Sequence, residues 1–276
     1  MPLLAIPEPY DFALSTERFR RFGPDLANLW HEGGLHRVVG GRDVRIESAP
    51  GGVLVEPFDV EISAVVSMLL GLGFDLHRFE EFAHAHSPEL GAVVERLRGF
   101  RPPIAPDPFE TLVTSITAQQ VSLASAFAIR SRMIERLGEP GRYAYAFPTG
   151  DRLAAADPAE LTAVGFSGRK AEYVIGLARA DLDYDELGRL PDDEVKARLV
   201  AIRGLGEWTA DWFLARHLAR PEAWPAGDLG LRKAVAAFYG DDSMPSIEET
   251  RMIGARFAPF QNLTAHYLLA DLYLAG

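Results

Sequence analysis

The sequence predicts an α+β fold in which a small antiparallel sheet precedes an all-helical region. Three observations carry this reading. Residues 36–58, HRVVGGRDVRIESAPGGVLVEPF, alternate polar and apolar side chains, with turn signals at Gly40-Gly41 and at Ala49-Pro50-Gly51-Gly52. The alternation stops near residue 75. From there to the C-terminus apolar residues recur near i, i+3, i+4 and i+7, the spacing of amphipathic helices.

Taken in order, Tyr10–Phe12 reads as the start of a further strand ahead of the 36–58 pair. A sheet with one apolar face needs a cover, and VEISAVVSMLLGL, residues 60–72, has the helical spacing to supply it. Helices are expected over 75–84, 88–98, 107–118, 122–137, 157–164, 168–181, 191–201, 207–219, 229–239, 246–257 and 262–274. Several open on recognisable signals, such as Asp157-Pro158, a cap residue followed by proline at the first helical position. Pro102, Pro103, Pro106 and Pro108 punctuate the approach to the helical part. The expected division is an α/β domain over 1–72 and a helical domain over 73–276.

Composition removes several function classes. The 276 residues are 48% hydrophobic, enough for a substantial core, and contain no cysteine. Disulfides, thiolate nucleophiles, cysteine zinc sites and cysteine-ligated iron–sulfur clusters are therefore excluded. The N-terminus, MPLLAIPEPYDF, has no basic n-region and is broken by Pro7 and Pro9, so it does not read as a signal peptide. The longest apolar run, around Ile62–Gly73, is too short to span a bilayer. The expectation is a cytoplasmic protein with no membrane partner. A formal net charge of −11 runs against the basic footprint of most nucleic-acid binders. A nucleic-acid site here has to rest on backbone N–H groups and a few arginines, with most acids far from it.

The most informative stretch is LVAIRGLGEWTADWFLARHL, residues 199–218. An apolar helix end runs into Gly204-Leu205-Gly206, and a second helix starts near Glu207. Two glycines allow a tight turn and a close backbone approach, and the N-terminus of the following helix offers unpaired N–H groups to an anion. Taken alone, the same residues also describe an ordinary glycine turn between helices. Asp228, twenty residues after Trp208, closes Trp224-Pro225-Ala226-Gly227-Asp228 and precedes the helix LGLRKAVAAFY. By itself it reads as an N-cap; a capped carboxylate is also rigidly held, so the two roles are compatible.

Ile202, Gly204-Leu205-Gly206 and Thr209-Ala210 together resemble the helix-hairpin-helix DNA-binding motif. With Asp228 at its distance, the pattern resembles the helix-hairpin-helix DNA glycosylase superfamily. The resemblance implies that the hairpin backbone at Gly204, Gly206 and Thr209 holds a DNA phosphate. It also implies a monovalent cation, Na+ or K+, on the carbonyls of Val200, Ile202 and Leu205. Asp228 matches the superfamily's essential aspartate. Bifunctional members carry a lysine two residues after the second hairpin glycine; Trp208 stands there, so water is the expected nucleophile. The branches that bind an iron–sulfur cluster need four cysteines, which this chain lacks.

What remains is a resemblance over nearly the whole chain to the bacterial 3-methyladenine DNA glycosylase II family. PYDF at 9–12, GFDLHRFEEFA, PDPFETLVTSITAQQVSLASA at 106–126 and PFQNLTAHYLLADLYL from Pro259 carry it. It implies a monofunctional enzyme that flips alkylated bases out of double-stranded DNA. Trp208 and Trp212, spaced i, i+4, and Phe260 are the expected base pocket, their faces attractive to a cationic base. The loop Gln119-Gln120-Val121 supplies the expected wedge, Gln120 or Val121, where many relatives have an apolar residue. Lys170 and Arg169 are candidate phosphate contacts, and a monomer is expected. Two other readings stay open on sequence: a glycosylase of this fold for deaminated or oxidised bases, and a non-catalytic DNA damage-binding module.

Overall fold

The computed structural model describes residues 1–240 and 243–275. Its N-terminal sheet is antiparallel and five-stranded. The strands are β1 (Leu3–Ala5), β2 (Leu29–His31), β3 (Gly34–Val39), β4 (Arg42–Ala49) and β5 (Gly52–Glu56), in the spatial order β1-β5-β4-β3-β2. Register puts Leu35 opposite Ile46 and Ile46 opposite Val55, so the alternation read from 36–58 turns one set of side chains inward. These residues bury against Ile62, Val66 and Leu69 of the helix Val60–Leu69, the expected cover. β1 joins the edge through a close approach at Gly52, where a Cβ would stand 2.1 Å from the Leu4 carbonyl oxygen.

Tyr10–Phe12 does not begin a strand. Asp11 instead caps the short helix Phe12–Ser15, its side chain accepting the Leu14 N–H at 2.8 Å. The capping competes with extension here, because Asp at a chain turn satisfies a free N–H that a lone strand leaves to water. The other two strands of the sheet, β1 and β2, have three residues each, too short to show a period.

From Leu76 on, each expected helix is present, with ends shifted by a few residues. Asp75, Ser87, Asp107, Ser122, Asp157, Ser167 and Ser246 each accept a backbone N–H from the first turn. Two additional short helices, Gly150–Ala154 and Tyr184–Arg189, were not apparent from periodicity. Among the described residues no helix is long and apolar enough to cross a membrane.

A buried polar network ties sheet to helices. Arg37 on β3 bonds to the Glu110 carboxylate at 2.7 Å and to Asn28 at 2.8 Å; Arg130 bonds to Glu110 and to Asp25. Burial on its own pushes the Glu110 carboxyl upward, but Arg37 and Arg130 hold it below the usual glutamate range. Removing one partner of such a set strands the others without compensation. Glu110→Ala is therefore expected to lower the unfolding free energy by about 3–5 kcal/mol at neutral pH, as read by denaturant melts. Because the folded carboxyl is depressed, its contribution is complete above its ordinary value of 4.5 and disappears as pH falls through the lower folded value. The gap between wild type and variant should accordingly narrow in acid.

Candidate active site

The two helices of the predicted hairpin are Asp192–Val200 and Glu207–Arg216. Between them Gly204 has φ +100°, and a Cβ there would lie 2.3 Å from the Tyr173 ring. Gly206 caps the second helix with no side chain to satisfy its first N–H groups, and nothing stands within 4 Å of where its Cβ would be. The helix start thus presents N–H donors with no side-chain acceptor, the geometry of an anion site. Thr209 is buried with an unpartnered hydroxyl, so only its backbone N–H belongs to that turn. The Ile202 carbonyl accepts the Leu205 N–H at 3.0 Å, which leaves it one lone pair. Val200 ends its helix, so its carbonyl lies among the last four that a helix leaves unsatisfied.

The second hairpin helix leads directly to Asp228. This residue caps the helix Leu229–Tyr239 through Oδ1, which accepts the Leu231 N–H at 2.8 Å. Its other oxygen, Oδ2, accepts two indole N–H groups, Trp208 Nε1 at 2.8 Å and Trp212 Nε1 at 3.1 Å. The i, i+4 spacing of the tryptophans brings both to one carboxylate. Cap and carboxylate site are one device: one oxygen ends a helix, the other is gripped from the hairpin helix.

Asp228 opens onto a cleft of about 1190 Å³, its mouth included, between the hairpin helix, the N-terminal helices and the C-terminal helix Gln261–Ala275. Trp208 lines it. Trp212 lines it too, but is buried, and the guanidinium of Arg216 already lies over its ring at 3.7 Å. The cation-attracting face expected of Trp212 is thus taken by the protein's own cation. Phe22, Phe127 and Tyr273 add to the aromatic wall, as does Phe100, with Phe22 5.7 Å from Phe127 and 5.8 Å from Tyr273 between ring centroids. Sequence reasoning missed all four; they are far apart in the chain and carry no motif. Tyr273 reaches the first turn after Asp228, where a Cβ on Gly230 would meet its hydroxyl at 2.9 Å. Burial and the nearby Asp228 raise the Tyr273 hydroxyl above its ordinary value.

Phe260 does not join this wall. It packs against Phe79 and Phe82, at 5.8 and 5.1 Å between centroids, as a core residue. Its position just before the last helix turns it toward the helix Leu76–His86, away from the cleft. Lys170 is also spent internally, its ammonium donating to the Thr117 carbonyl at 2.9 Å; Arg169 is exposed. The loop after Thr117 carries Gln119, whose amide donates to the Gly204 carbonyl at 2.8 Å and so ties loop to hairpin. Gln120 follows with φ +55° and an exposed side chain, and Val121 is exposed beside it. Both wedge candidates therefore stand at the tip of a loop anchored to the hairpin.

Residues 113–259 match the family model of the HhH-GPD superfamily base excision DNA repair proteins. The chain is 30% identical over 221 residues to a DNA-3-methyladenine glycosylase of Bacillus subtilis (strain 168), an alignment covering 77% of this chain and 73% of the relative. The fold matches the 3-methyladenine DNA glycosylase of Archaeoglobus fulgidus with a TM-score of 0.87 and 26% identity, covering 100% of this chain and 99% of that one. It also matches a Schizosaccharomyces pombe 3-methyladenine DNA glycosylase solved with abasic DNA, with a TM-score of 0.63 and 25% identity over 70% of this chain and 95% of that one.

The two hairpin glycines make opposite predictions. Gly204→Ala forces a side chain into the left-handed region against Tyr173 and should cost about 1–3 kcal/mol from backbone strain alone. Gly206→Ala meets open space at an ordinary φ and should cost under about 1 kcal/mol. Paired thermal melts decide between this account and a turn that tolerates both changes.

Proposed function

Because the chain belongs to the HhH-GPD superfamily of base excision DNA repair proteins, we propose that it is a monofunctional DNA glycosylase. It flips alkylated bases of the 3-methyladenine and 7-methylguanine type out of double-stranded DNA and hydrolyses their N-glycosidic bond, leaving an abasic site. The observation that carries this is the Asp228 carboxylate, fixed by three N–H donors at a cleft walled by aromatic rings.

The reaction follows from that placement. Alkylation makes the base a good leaving group, so the glycosidic bond breaks with its electron pair going to the base. Positive charge develops on the sugar at C1′, where a fixed carboxylate opposes it without reorganising. Water then adds to C1′ and gives up a proton, for which Asp228 is the acceptor within reach. The indole N–H groups cannot serve as nucleophile or base; their part is to hold Oδ2 in place. Trp208 occupies the position at which a Schiff-base lysine would be needed, which supports water as the nucleophile.

The binding parts of the proposal are spread around the cleft. Backbone N–H groups of Gly204, Gly206 and Thr209 hold a DNA phosphate, and the open space at Gly206, at the start of a helix with no side-chain cap, supports that role despite the acidic overall charge. Gln120 or Val121, at the exposed tip beside the hairpin, fills the gap left by the flipped base. The carbonyls of Val200, Ile202 and Leu205 offer the hard, neutral oxygens that suit a monovalent cation, which would brace the turn. The chain acts as a monomer on duplex DNA, without an iron–sulfur cluster.

Single-turnover incubation with methylated duplex DNA tests the proposal. Free methylated base should appear while the strand stays intact until treated with hot alkali, and borohydride should trap no covalent complex. A borohydride-trapped protein–DNA adduct would contradict the hydrolytic assignment.

A further inference from the structure

Four arginines, Arg18, Arg21, Arg130 and Arg216, line the cleft beside Asp228. Two of them are engaged. Arg21 donates to the Tyr273 carbonyl, and Arg130 is bound by Asp25 and Glu110. The guanidinium groups of the other two lie on rings, Arg18 5.9 Å from the Phe19 centroid and Arg216 3.7 Å from that of Trp212. Among the described residues the side chain of Arg18 makes no hydrogen bond or ion pair, and the buried Nε–H of Arg216 has no partner. The acids nearby are already occupied: Glu17 pairs with Arg20 at 2.8 Å, and Asp228 is held by the two indoles and Leu231. His266 lines the same cleft. It is buried, its Nε2 has no partner, and its ring lies 6.0 Å from that of Trp212 between centroids. Burial, reinforced by Arg216 and Arg18, holds His266 well below its ordinary value, so it is neutral and presents a lone pair.

Unpartnered buried donors are costly unless something else satisfies them. Resting on the glycosylase reading, we propose that Arg18 and Arg216 are specificity-determining residues that select 6-oxopurines over 6-aminopurines, by donating to the C6 carbonyl of the flipped base. A carbonyl oxygen carries two lone pairs and can take a donor from each arginine, while the adjacent N1–H of a 6-oxopurine finds an acceptor in His266 Nε2. An adenine-type base places an N6 amino group, itself a donor, at that position. Donor would then face donor, and its N1 offers one lone pair for two guanidinium groups.

DNA methylated by dimethyl sulfate carries 7-methylguanine and 3-methyladenine together, so one reaction compares them. Single-turnover release of each is divided by its spontaneous rate. The proposal expects the enhancement for 7-methylguanine to exceed that for 3-methyladenine by about tenfold or more. It expects Arg18→Met and, separately, Arg216→Met to lower that ratio by about tenfold. Two variants are used because Arg216 packs on Trp212 and its loss disturbs that contact; the wild-type ratio stands without either. An enhancement that favours 3-methyladenine, or a ratio that neither variant moves, overturns the selection by arginine while leaving the glycosylase reading intact. Release of neither base overturns the glycosylase reading itself.

Discussion

One carboxylate with three N–H donors sets the geometry of the rest. Oδ1 of Asp228 closes the first turn of the helix Leu229–Tyr239, and Oδ2 takes the indole N–H groups of Trp208 and Trp212. Hydrogen bonds to a charged group stabilise by about 1.5–3 kcal/mol each when well formed. Here they do more than stabilise. They lock the direction of the carboxylate to the hairpin helix, so whatever the hairpin grips is held in fixed register with Asp228. A phosphate on the Gly206 turn and a sugar beside Asp228 are then positioned by one rigid piece of backbone, which is the geometric requirement for orientation to contribute to rate.

The frame around that piece is held by polar contacts across long sequence separations. Asn262 donates to the carbonyls of Ala215 and Arg220, docking the C-terminal helix on the end of the hairpin helix. The Ala105 N–H bonds to the Arg216 carbonyl from the other side. Gln119 ties the wedge loop to Gly204, and the Arg37–Glu110–Arg130 network joins the sheet to the helices below the cleft. The site itself relies on backbone N–H groups and a few arginines, which is how a chain of net charge −11 can present a phosphate site.

The parts of this legible in the sequence are those written locally. Gly204-Leu205-Gly206 needs only a turn and a helix start, and Asp228 needs only the helix that follows it. Caps such as Asp157 and Ser246 are read from three or four residues, and the 36–58 alternation from two strands. What was illegible is what tertiary packing assembles. Phe22, Phe127, Tyr273, Arg18 and His266 meet at one cleft from three separate stretches of chain, and nothing in their neighbours announces it. Phe260 shows the reverse: an aromatic in a suggestive stretch, set just before the last helix and packed on Phe79 and Phe82. The i, i+4 tryptophans lie between these cases. Their shared face followed from spacing, but their use as donors to Asp228, with Arg216 stacked on one of them, required coordinates.

The central claim is that Asp228 performs the bond-breaking step and is not merely a helix cap. Comparing wild type with Asp228→Asn measures this most directly, by single-turnover base release from methylated duplex DNA at saturating protein. The amide oxygen still accepts the Leu231 N–H, but the NH2 then faces the two indole N–H groups, so a thermal melt and a DNA-binding titration of the variant accompany the assay; base release is expected to fall by orders of magnitude, well beyond any loss of binding. Base release by the variant at the wild-type rate would contradict the account and reduce Asp228 to its capping role.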